Sequence, residues 1–173
     1  PFGEKFSVYD AFYINCQEAF CKKNADITID ITVSHREVVY ETLEIQRPMK
    51  WKGILPETAV QPPKKLPITV QEVVWEYWNG IGWSPLYTNR KYSDFFAGEE
   101  EKREQMVFRC PSDMEEMIKK KKKGYWIRAR ILQISNLFTQ HHYYNIPVLE
   151  QITISYKDIN PKALPDIFLI KKD

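Results

Sequence analysis

Apolar and polar residues alternate with a period of two along much of this chain, and that pattern constrains the fold more than any other feature. In Asp26–Ser34, Ile27, Ile29, Ile31 and Val33 fall on one side, and Asp26, Thr28, Asp30, Thr32 and Ser34 on the other. Successive side chains of an extended strand point to opposite faces, so the segment reads as a strand half-buried against a core. Tyr125–Leu132 repeats the pattern, with Arg128 and Arg130 set against Ile127, Ala129 and Ile131. Glu150–Tyr156 repeats it again, and Val38–Ile45, Gln105–Cys110 and Ile167–Ile170 read as weaker strands. Val70–Trp78 is rich in β-formers and runs straight into Asn79-Gly80, the strongest short hairpin signal, with a return strand over 81–86. Asn79 and Gly80 suit a tight primed turn because that turn needs positive φ.

One helix is predicted over about 112–120. Ser112 and Glu115 form a capping box, acidic residues fill the first turn, Lys119–Lys123 follow and Gly124 ends the run. Five prolines between Arg47 and Pro67 exclude a helix or a central strand there, and Asn136–Pro147 reads as a loop. There is no βαβ rhythm. The expected fold is therefore mainly β, an antiparallel β-sandwich with one short helix. It should occupy residues 1–158, with 159–173 a terminal strand or a linker to the rest of a larger parent protein. The opening Pro1-Phe2-Gly3 has neither an initiator Met nor a signal-peptide pattern, and the chain reads as a segment of something longer.

Charge and composition exclude some functions. A net charge of +2 over 173 residues gives no basis for a nucleic-acid partner or an acidic membrane surface. A mean hydropathy of −0.48 and the lack of a long apolar run exclude a transmembrane helix. Cys16, Cys21 and Cys110 are odd in number and lack ligand spacing, so they read as buried free thiols. No catalytic constellation, metal set or phosphate loop is present; no enzyme activity, metal or cofactor is expected. His141 and His142 are adjacent and face opposite ways on a strand, and His35 stands alone. Glu99-Glu100-Glu101 reads as a solvated turn.

The Lys119–Lys123 run has two readings: a helix terminus matched to its dipole, or an anion or partner contact through Lys119 and Lys123. The cluster Trp75, Tyr77, Trp78, Trp83 and Tyr87 also divides. Trp75 and Tyr77 share one strand face while Glu76 and Trp78 share the other, so either Trp75 or Trp78 fills the space between sheets. Exposed Trp or Tyr side chains would instead suit a carbohydrate-binding module.

Four blocks carry a family resemblance. The first is Pro1-Phe2-Gly3, Tyr9-Asp10-Ala11-Phe12-Tyr13-Ile14 and Glu18-Ala19-Phe20 ahead of the strand from Asp26. The second is Trp75-Glu76-Tyr77-Trp78-Asn79-Gly80 with Trp83 and Leu86. The third joins Val107-Phe108 and Cys110-Pro111-Ser112-Asp113 to Tyr125-Trp126-Ile127-Arg128-Ala129-Arg130. The fourth is Pro147-Val148-Leu149 leading into Ile152–Tyr156. In order and spacing over residues 1–156, this resembles the baseplate J-like group of baseplate assembly proteins from contractile phage tails and related injection particles. The Lys119–Lys123 run, the acidic stretch before Gln105, and Tyr156 near the place where the group commonly has Asn depart from its pattern. The resemblance implies a non-enzymatic structural domain with no cofactor and no catalytic residue. Its implied partners are other baseplate or tail subunits, with self-association possible. Its implied location is the bacterial cytoplasm during assembly, then the virion or a tail-like particle. Under this reading Trp126 packs between the sheets, and Arg128 and Arg130, which share a face, are either inter-subunit ion-pair donors or plain surface.

Overall fold

The isoleucine stripe after Ala25 becomes an interior strand of one of two packed sheets. The computed structural model describes residues 1–40, 64–136 and 142–157. Its elements are β1 (Ala11–Asn15), α1 (Gln17–Phe20), β2 (Asp26–Val38), β3 (Leu66–Ile68), β4 (Val70–Trp78), β5 (Trp83–Pro85), β6 (Lys102–Arg109), β7 (Glu116–Lys119), β8 (Lys122–Ile134) and β9 (His142–Lys157). One sheet runs β1-β8-β4-β5 with β7 paired to the start of β8; the other runs β3-β9-β2-β6. The ladders are antiparallel except β3–β9, which is parallel. This is the β-sandwich that the alternation called for.

The core lies between the sheets. Ile27, Ile29, Ile31 and Val33 of β2 join Met106 and Phe108 of β6, Val73 and Trp75 of β4, and Ile127, Ala129 and Ile131 of β8 in one buried cluster. Trp75, not Trp78, is the core tryptophan at 2% exposure. Its ring meets Phe95 and Phe96, whose centroids lie 6.3 Å and 6.1 Å away, and its indole N–H donates to the Tyr92 carbonyl at 3.2 Å. The loop after β5 thus contributes to the core through Phe95 and Phe96, although no periodicity marks it. His35 also holds that loop: its Nδ1 lies 3.0 Å from the Glu100 carbonyl and its Nε2 3.2 Å from that of Phe96.

The structure corrects the sequence reading in several places. The segment 112–120 is not a helix. Pro111–Met114 makes a turn, closed by the Met114 N–H on the Pro111 carbonyl at 3.2 Å, and β7 then pairs with β8 as a hairpin. A helix would stack Lys119 over Lys123 at i,i+4, where like charges repel. The hairpin instead places Lys123 2.8 Å from Glu116. Its tip, Lys120-Lys121, has φ of 48° and 64°. Among the described residues the one helix is the single turn α1, which buries Ala19 and Phe20. Residues 142–147 of the expected loop are strand within β9. Pro147 is tolerated because β3 covers only His142–Tyr144, leaving β9 one described strand neighbour at Pro147.

The Asn79-Gly80 hairpin forms, but its connection is four residues, 79–82, rather than a two-residue primed turn. Asn79 Oδ1 accepts the N–H groups of Ile81 at 3.0 Å and Gly82 at 2.8 Å, and Gly80 takes the positive φ of 90°. Of the thiols only Cys110 is buried; Cys16 and Cys21 are half-buried. Of the expected strand Val38–Ile45, Val38 ends β2 and Val39 and Tyr40 are not strand; its remainder, the expected strand at 167–170, most of the proline-rich stretch and the segment 159–173 lie outside the described residues.

Two outcomes follow. Replacing Lys120-Lys121 by Asn-Gly relieves left-handed strain and should raise stability by about 1 kcal/mol in urea unfolding. In a helix the same change would lower stability, since glycine costs about 1 kcal/mol there. Burial pushes the Cys110 thiol up to about 11, and its Sγ donates to the Phe20 carbonyl at 3.3 Å. Ellman's reagent at pH 8 should therefore label Cys16 and Cys21 in the folded protein and Cys110 only on unfolding.

Candidate interaction face

The outer face of the β1-β8-β4-β5 sheet gathers rings and charges that the sequence scatters. Strand alternation that turns Ile127, Ala129 and Ile131 inward turns Trp126, Arg128 and Arg130 outward. Register then sets Tyr13 of β1 beside Arg128, and Arg128 beside Glu76 of β4. Trp78 pairs with Trp83 across the hairpin.

Glu76 is the centre of this face. It is only 5% exposed although it points away from the core. Its Oε2 accepts from Arg128 Nε at 2.6 Å and Arg130 Nε at 3.1 Å, and its Oε1 from Arg130 Nη2 at 2.8 Å. Arg130 thus grips the carboxylate with two nitrogens and Arg128 with one. Burial alone would push the Glu76 carboxyl up; the hydrogen bonds from Arg130 and Arg128 overcome it and hold the group below the usual carboxylate range. The same bond raises Arg130.

Rings extend the cluster on both sides. The Arg128 guanidinium lies 4.3 Å over the Trp83 ring and that of Arg130 5.7 Å from the Tyr9 ring. Trp83 packs edge-on against Trp78 and Tyr13, each with centroids 5.7 Å apart. Lys119 leans over from the β7–β8 hairpin and places its ammonium 3.5 Å from the Tyr13 ring centre. The result is one continuous strip: Lys119, Tyr13, Trp83, Arg128, Glu76, Arg130, Tyr9. Trp126 does not pack between the sheets as expected. It sits at one end of this outer face, covered by the hairpin, with its indole N–H on the Met117 carbonyl at 3.2 Å.

The candidate interaction and hairpin residues all lie among the described residues. Trp78, Trp83, Arg128, Arg130 and Lys119 come together here; Trp75 is in the core; Asn79 and Gly80 close the hairpin; Lys123 pairs with Glu116. Arg128 and Arg130 are tied within the chain, not free surface side chains. Glu76, Tyr9 and Tyr13 were not singled out for roles. A carboxylate on the polar face of a strand beside a strand with two alternate arginines was the signal available. His141 lies outside the described residues, and His142 packs edge-on against Tyr144 at 5.9 Å. Among the described residues no group of three His, Cys, Asp or Glu side chains is placed to hold a metal, and no helix is long and apolar enough to cross a membrane.

Comparison with protein-family models, with curated proteins and with solved structures finds no match.

The ion cluster predicts a pH dependence. Glutamate in the unfolded chain titrates near about 4.3, and folded Glu76 titrates lower. The cluster therefore contributes fully above the unfolded value and is lost as pH falls through the folded one. Glu76→Gln should cost about 3 kcal/mol at pH 7 by urea unfolding and should flatten the loss of stability below pH 4.

Proposed function

We propose that this chain is a non-enzymatic protein–protein contact domain, and that the assembly it serves is the baseplate of a contractile tail or related injection particle. The observation that carries the reading is the outer strip itself. Trp, Tyr and Arg are the side chains concentrated at the centres of protein interfaces, where rigid rings and fork-shaped donors give much contact at little entropic cost. Here they line one sheet face, held by mutual packing and by Glu76.

The particular assembly rests on the family resemblance. Three of its four blocks converge on this face: Tyr9 and Tyr13 from the first, Glu76, Trp78 and Trp83 from the second, Arg128 and Arg130 from the third. The domain would then join its partners in the bacterial cytoplasm and remain in the finished particle. The outer strip does not offer the carbohydrate reading its platform. Sugar rings stack on open, coplanar aromatics, whereas Trp83 meets Trp78 at 68° and Tyr13 at 61°, and Arg128 occupies one of its faces.

Immunogold electron microscopy of tail-like particles from induced cells of the source organism tests the reading. Label at the base of sheathed tails is the expected result. Intact, antibody-accessible tails without label, with the parent protein elsewhere in the cell, would overturn it.

A further inference from the structure

The strip on the outer sheet face is unbalanced in charge and leaves one donor edge unused. The strip carries three cations and one carboxylate: Arg128 and Arg130 pair with Glu76, while Lys119 lies over the Tyr13 ring with no carboxylate of the strip against it. Arg130 spends its Nε and Nη2 on both oxygens of Glu76. Arg128 spends only Nε, and its Nη1 and Nη2 donate to no described residue. No buried side-chain nitrogen or oxygen of the described residues lacks a hydrogen-bond partner, so these two nitrogens reach solvent. The Arg128 side chain as a whole is only 16% exposed. What it offers the outside is therefore narrow: the far edge of a planar fork. Glu76 fixes that plane from one side, and Trp83, 4.3 Å below it, fixes it from a face.

We propose that the Nη1–Nη2 edge of Arg128 is the anchor for a carboxylate side chain of the partner protein, with Trp83 as its backing and Lys119 as a second cationic contact. The proposal rests on the reading of this face as a protein contact and names what the partner must present there. A guanidinium edge matches the two oxygens of a carboxylate in plane, and a fork already held in place loses little freedom when it binds. Arg128 is the anchor rather than Arg130 because Arg130 has its own two-pronged bond inside the chain. The net charge of the strip calls for more than one acidic group. A protein partner with Asp or Glu side chains supplies them without the coplanar stacking that an acidic sugar would require. Glu76 is a positioning residue: it orients Arg128 and does not itself meet the partner.

The test uses the full 173-residue chain, with poly-L-glutamate and polygalacturonate as probes and tryptophan fluorescence as the readout at 20 mM salt. Poly-L-glutamate should bind. Arg128→Lys, which keeps the charge and removes the fork, should weaken binding about tenfold. Lys121→Gln at the hairpin tip should change it less than twofold. Equal binding by Arg128→Lys and the wild type would overturn the anchor. So would no binding of poly-L-glutamate, or a Lys121→Gln loss as large as that of Arg128→Lys. Tighter, Arg128-dependent binding of polygalacturonate would overturn it in favour of an acidic glycan. Should Arg128→Lys fail to fold by circular dichroism, the Trp83 indole N–H signal of the 15N-labelled wild type decides: a shift on saturation with poly-L-glutamate is expected, and no shift overturns the proposal. Particles labelled at the tail base that incorporate folded Arg128→Lys normally would sink the anchor and leave the contact reading intact. Unlabelled tails with fork-dependent binding of poly-L-glutamate would do the reverse.

Discussion

A carboxylate buried on the solvent side of a sheet is tolerable only when cations meet it, and much of this structure depends on how Glu76 is met. Its partners come from β8, whose alternation sends Ile127, Ala129 and Ile131 into the core and Arg128 and Arg130 outward. A slip of one residue between β4 and β8 would drive Glu76 among the isoleucines and lift Trp75 out to water. The ion cluster and the tryptophan thus select the same register from opposite faces of one strand. That register also places Trp78 and Trp83, and with them the rings that frame Arg128.

The sequence reading succeeded where local pattern and tertiary packing agree. Alternation located β2, β4, β8 and the end of β9, and with them the two-sheet core, because a sandwich strand carries its burial pattern in consecutive residues. It failed where distant pairing outweighed local propensity. Ser112 to Glu115 has the spacing of a helix start, yet the protruding end of β8 needed a hydrogen-bonding neighbour, and β7 supplies it. Residues 144–147 have too much polar and aromatic variety to look like a strand, yet they lie along β2.

The interaction face was legible as parts and not as a whole. Arg128 and Arg130 stood out as a pair on one face. Their carboxylate lies 52 and 54 residues earlier, and no spacing rule connects them. Lys119 looked like a helix terminus, and only the hairpin carries it to Tyr13. Such contacts arise from strand order, which a single sequence does not display.

The strand order also dictates when this domain can exist. β1 pairs with β8, and β2 with β9, so the two earliest strands find these partners among the last to be made. Ribosomes add about 5–20 residues per second. For several seconds, then, the Ile27–Val33 ridge has emerged while its partner β9 has not. In that interval β2 has at most β6 as a neighbour, and the edge that β9 takes stays open until β9 arrives.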